Sequence, residues 1–268
     1  MPKKLTGTAL ALVFLFFSFK PSSASAYDRW SSDDDQGVHG LIGLGVASIP
    51  DSPGSDEQRT VPLPIINMRF SGTPLYVGNP YGASPLQAGA AWSADGSWHF
   101  GAAITTQANA PREADSRQRA AGVEDIERGT AASVFMQWNY DQFSATLTGT
   151  QALGDSEQGQ TATLRLERVI APNPKLRITF GPSATWADGE NMRTYFGVPR
   201  GSEELARYEP SGGLQEIAAH VGLTYAVSPV WLLGTGVRVA KLHSEASDSP
   251  LVEDETQYTV SAFLARRF

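Results

Sequence analysis

The chain of 268 residues has no cysteine, so no disulfide and no thiolate chemistry is available to it. Basic residues are scarce, with 21 Lys and Arg against 28 Asp and Glu. Three of the lysines, Lys3, Lys4 and Lys20, fall within the first 26 residues; the remainder carries 18 basic and 28 acidic groups, a net charge of −10. Nucleic acid is excluded as a partner on that balance, because phosphate neutralisation needs clustered Lys and Arg. After residue 26 no run is apolar enough to cross a bilayer as a helix. Histidine is limited to four positions, which leaves little material for a metal centre.

The N-terminus does hold one apolar run. "MPKK" is basic, "LTGTALALVFLFFSF" is its apolar continuation, and Ala24 and Ala26 supply small residues. That order predicts a secretory signal peptide over 1–26, cleaved before Tyr27. An acidic segment, 27–37, follows; its "SSDDDQG" lacks the spacing of a calcium loop and reads as a solvated periplasmic lead-in.

From 38 onward the hydrophobic period is two. In "FSATLTGTQ", Phe143, Ala145 and Leu147 alternate with Ser144, Thr146 and Thr148; "IAAHVGLTYAV" and "LRITFGPSATW" behave alike. About twelve strands are predicted, near 38–48, 61–70, 74–81, 86–94, 97–107, 130–140, 143–153, 159–171, 176–188, 217–227, 231–243 and 256–268. Most exceed the five or six residues usual in soluble sheets. Every second connection is short ("SGT", "ADGS", "NYDQ", "PNPK", "SPV"), and the alternate ones are mostly long. Trp92, Trp98, Trp138, Tyr140, Phe143 and Trp231 flank the short turns, with Trp186 and Tyr258 near the long loops. The expectation is an all-β fold over 38–268: a closed antiparallel transmembrane β-barrel with short periplasmic turns, long extracellular loops and aromatic girdles in the outer-membrane lipid.

The last strand ends on Phe268, which shares a face with Leu264, Ala262, Val260 and Tyr258. A terminal outward Phe resembles the signal by which bacterial outer-membrane proteins reach the barrel-assembly machinery, although Arg266 departs from the aliphatic or aromatic residue expected there. "TYFGV" (Thr194, Tyr195, Phe196, Gly197, Val198), "GLTYAVSPVWLL" (222–233) and the closing Asp248, Ser249, Pro250, Leu251, Val252 up to Phe268 together resemble the MipA/OmpV family of Gram-negative outer-membrane proteins. "GLIGLGV" (40–46) and "PLPIINMRF" (62–70) fit its N-terminal half. The resemblance implies a non-enzymatic protein of the cell outer membrane, without cofactor, that scaffolds a murein lytic transglycosylase and a penicillin-binding protein; another branch acts as a surface adhesin. It carries no catalytic residue across.

Alternation places His99, His220, Arg165, Glu167, Arg177 and Arg238 inside the barrel. Glu167 and Arg177, on neighbouring strands, are expected to pair across them. Two readings follow: a polar lumen filling, or a charged constriction in a narrow solute channel. His243, Asp248 and Ser249 form the one hydrolase-like set, and they lack a nucleophile elbow or oxyanion donor. His39 completes the histidines; no metal site or cofactor is expected.

Overall fold

The computed structural model describes residues 37–80, 86–106, 111–127, 129–154 and 158–268. The expected signal peptide, 1–26, and all but the last residue of the segment 27–37 lie outside the described residues. Twelve antiparallel strands close into one barrel in sequence order, with β1 beside β12. They are β1 (Val38–Pro50), β2 (Gln58–Phe70), β3 (Leu75–Gly78), β4 (Gln87–Ala94), β5 (Trp98–Thr106) and β6 (Thr130–Tyr140). The second half comprises β7 (Phe143–Leu153), β8 (Gln160–Asn173), β9 (Leu176–Ala187), β10 (Gly213–Ala226), β11 (Trp231–Leu242) and β12 (Thr256–Arg267). Closure is completed by Phe268, whose N–H donates to the Gly40 carbonyl while Gly40 N–H donates to the carbonyl of Phe268. Pairing on both sides is what lets strands cross lipid, where a bare sheet edge would leave backbone groups unsatisfied.

The alternation seen in the sequence becomes two faces. Leu44, Val134, Leu147, Val221, Val237 and Val260 are exposed on the outside, and Thr146, Thr148, Ser133 and Gln137 are buried inside. Around the short turns the outer face turns aromatic. Trp138 stacks on Tyr140 at 5.8 Å, and Trp98 lies 6.1 Å from Phe100 and 6.3 Å from Trp138. Arg168, which interrupts the apolar face of β8, holds its guanidinium 5.2 Å above the Phe143 ring in this girdle, a contact that suits a cation near a membrane interface.

Strand ends differ most from the sequence reading at β10 and β3. β10 starts at Gly213 rather than 217, because a bulge between Leu214 and Glu216 lets pairing with β9 continue. β3 has four residues rather than eight. Gly78 adopts φ +100°, and a Cβ there would fall 1.8 Å from the Ile66 carbonyl oxygen; the chain leaves the ladder by a route open to glycine alone.

Part of the interior is apolar. Tyr76, Ala91, Ala103 and Phe135 form a buried cluster across β3 to β6, with the Tyr76 and Phe135 rings edge to face at 6.3 Å. Phe135 also covers Gly101 of β5. Replacing Phe135 by Leu keeps most of the volume and is expected to cost about 1 kcal/mol, read as a lower urea midpoint of the refolded barrel.

Candidate functional site

Two constellations qualify: a charged strip inside the barrel, and a folded cap at the long-loop end. The strip lies along β8 to β11. His220 of β10 stands opposite Gly181 of β9 and Arg238 of β11. Gly181 carries no side chain, so His220 Nε2 reaches over β9 to the Glu167 carboxylate at 3.0 Å. Arg165 and Arg177 both act on Glu167 through their charges. The sequence reading paired Glu167 with Arg177; the contact at hydrogen-bond distance is with His220. Sequence reasoning missed this because it compared adjacent strands only; the Gly at 181 was the available signal. Arg238 pairs with Glu216, a lumen carboxylate the sequence reading did not select, and Thr185 Oγ1 donates to the same Glu216 oxygen at 3.4 Å. His99 is hydrogen-bonded to Asn139 at 3.1 Å. Among the described residues no three His, Cys, Asp or Glu groups converge as a metal site.

The long loops fold onto one another. The β5–β6 loop carries a short helix, α1 (Ser116–Ala120), and the β9–β10 loop carries α2 (Gly189–Phe196). Met192, Tyr195 and Phe196 of α2 pack with Ile126 and Ala246 against Ala187 and Leu242, residues at the buried ends of β9 and β11. A second cluster joins Ala114, Ala121 and Val123 to Val198, Leu205 and Leu251, with Tyr208 packed against it. Three loops thus share a hydrophobic core seated on the long-loop end of the barrel.

The sequence motifs meet here. Asp188 caps the start of α2, accepting from Asn191 N–H at 2.8 Å. At its other end, helix carbonyls need partners from outside the helix. Gly197 N–H donates to Arg193 O at 2.9 Å, and a Cβ at Gly197 would fall 2.3 Å from that oxygen. Arg112, buried, donates to Tyr195 O at 2.9 Å, Thr194 O at 3.2 Å and Glu124 O at 3.4 Å. Ser249 Oγ donates to Phe196 O at 2.6 Å and accepts from Leu251 N–H at 3.1 Å. So Thr194 to Gly197 and the Asp248–Ser249–Pro250 turn form one helix-capping unit, with Arg112 as the member that sequence reasoning passed over. Ser249 is buried and its hydroxyl is committed to that cap. His243 meets the neighbouring strand through its backbone, donating N–H to Gln215 O; no bond joins it to Ser249. Ser249→Ala is expected to cost about 1 to 2 kcal/mol, because the Phe196 carbonyl loses its donor; faster hydrogen exchange across 194–198 checks it.

Beside α2 lies a recess of about 1050 Å³ whose walls include Arg112, Glu124, Glu127, Glu190, Arg193 and Arg200. Burial pushes the Arg112 guanidinium down from its ordinary value, while Tyr195 and Asp125 act in the opposite direction. Glu245, exposed, is held below the usual carboxylate range by the hydroxyl and N–H of Ser211.

A closed twelve-stranded barrel with an apolar exterior, aromatic girdle and polar strip inside is a membrane-spanning β-barrel of the porin-like kind. A family model described as "MltA-interacting protein MipA" matches residues 42–268, and the chain belongs to that family. Comparison with curated proteins gave no match. Solved structures similar in fold include one titled "KdgM porin" (10% identity, TM-score 0.46, covering 85% of this chain and 99% of that one). Another is titled "NanC porin" (6%, 0.45, 85% and 100%). A third is an outer membrane channel, COG4313, from Pseudomonas putida F1 (13%, 0.40, 88% and 98%).

Proposed function

We propose that this protein is a non-enzymatic outer-membrane barrel that holds a murein-cleaving lytic transglycosylase at the periplasmic face of the membrane. The observation that carries the reading is the family match, whose description names such a partner. The two ends of the barrel agree with it. The long loops are folded inward on their own core at one end, which leaves them poorly suited to reach a distant ligand. At the other end stand the short turns, together with Val38, the point where the acidic segment 27–37 joins the barrel. Those turns alone offer little of the roughly 800 Å² per partner found in stable interfaces; the acidic segment supplies the missing area and charge. A penicillin-binding protein is the second member of the murein machinery that the barrel links in this reading.

The test uses the full barrel with a photo-crosslinking residue at Asp141 or Lys175, both in short turns, and a purified lytic transglycosylase. Cross-linking at these sites, weakened when Asp33, Asp34 and Asp35 are replaced by Asn, is the expected result. No cross-link, combined with single-channel conductance that changes in Glu167→Gln or Arg238→Gln, overturns it in favour of a narrow solute channel.

A further inference from the structure

Charge is sorted between the wall of the barrel and the rest of the chain. Of the 28 acidic residues, two lie on strands, Glu167 and Glu216; of the 21 Lys and Arg, nine do. An acidic protein thus carries a basic wall. Arg168, Lys241 and Arg266 fall on the outward face of their strands. Arg59 lies near Asp51 at the long-loop rim, and Arg267 ends β12. The other four, Arg69, Arg165, Arg177 and Arg238, alternate inward in the spanning part of the wall.

Both inward carboxylates are already engaged. Glu167 meets His220 and is acted on by Arg165 and Arg177, and Glu216 pairs with Arg238. Four guanidiniums against two carboxylates leave the interior positive, and a guanidinium keeps that charge at any ordinary pH. A charge facing water between low-dielectric walls concentrates counter-ions strongly.

The basic side of the interior is not packed solid. Gly222 and Gly236 stand opposite one another, and a Cβ added at Gly222 would meet no atom nearer than 3.9 Å. Arg238, beside them on β11, keeps 33% of its side chain accessible. Twelve strands lie between the eight whose interior side chains fill and the sixteen or more that leave a wide channel. The facing side differs in character. β2 is six strands from β8 in either direction around the barrel, and its inward residues include Val61, Leu63 and Ile65, all half-buried.

We propose that the barrel interior is a path for small organic anions, the carboxylate passing along Arg165, Arg238 and Arg177 and the apolar body lying toward Val61, Leu63 and Ile65. A cation is repelled by the net charge, and a neutral solute gains nothing from the guanidiniums. Each guanidinium offers a carboxylate two parallel hydrogen bonds, and several such sites in series let the ion leave as well as enter. The proposal is independent of any murein enzyme: anion current and cross-linking to a transglycosylase are separate readouts, and either can fail without the other.

The test reconstitutes the full barrel in planar bilayers under a KCl gradient. The reversal potential is expected to show chloride about ten-fold more permeant than potassium. Arg165→Gln combined with Arg177→Gln, which balances the inward charges, brings the ratio close to unity, and Glu167→Gln raises it. Lys241→Gln, which removes an outward charge, leaves it unchanged. With potassium benzoate or potassium acetate in place of KCl, benzoate is expected to be the more permeant despite its size. Leu63→Thr removes that preference and keeps the selectivity for chloride over potassium. Heat-modifiable gel mobility identifies folded variants, and Arg177→Gln alone replaces the double variant if the latter does not fold. Absence of current from the folded barrel, a preference for potassium, an unchanged ratio in the arginine variants, an equal effect of Lys241→Gln, or acetate more permeant than benzoate overturns the proposal.

Discussion

Arg112→Ala is expected to release the cap while leaving the barrel closed. The side chain satisfies the Tyr195, Thr194 and Glu124 carbonyls at once, and alanine leaves those acceptors without their donor inside a hydrophobic cluster. Loss of charge-assisted bonds of this kind costs about 3 kcal/mol in total. Hydrogen exchange over 189–209 and proteolytic nicking of the 111–127 loop should rise by about two orders of magnitude, with unchanged heat-modifiable mobility. Arg112→Lys recovers little, since one ammonium cannot span carbonyls arranged for a planar fork. The same cluster gives an alkaline limit. Burial pushes the Tyr195 hydroxyl from 10.0 to about 12, against the pull of Arg112. A raised folded value means that the stabilisation is complete below pH 10 and is lost as pH rises toward 12. Tyr195→Phe should flatten that decline; an unchanged alkaline profile would remove Tyr195 as its cause.

Val134→Arg is expected to destabilise the barrel by about 2 to 4 kcal/mol, the cost of a cation near the middle of the lipid face. Val134 is 62% exposed in the centre of β6, so the same change on a water-facing surface would be nearly silent. Refolding into vesicles over a urea series measures it. The native Arg168 marks where a cation is tolerated: its guanidinium lies over Phe143 in the girdle beside a short turn. Equal, small losses for Val134→Arg in vesicles would show that lipid does not cover this face.

Much of the barrel was legible because a membrane strand writes its two solvents into alternate residues. Val134 and Ser133, or Leu147 and Thr146, differ in character because one meets lipid and the next the interior. Short turns such as that at Asp95 and Gly96, both at positive φ, announce hairpins by local chemistry alone. The motif at 194–197 was legible as a motif, yet its role was not. Its carbonyls are capped by Arg112, 82 or more residues away in sequence, and by Ser249, 53 residues away.

By itself the sequence determined the number of strands, their faces and the side carrying the long loops, since each depends on residues one or two apart or on the length of a connection. Tertiary structure alone decided that Glu167 meets His220 across a glycine and that three loops share one core. These outcomes depend on register and closure around the whole barrel, which bring distant positions together and which no local pattern encodes.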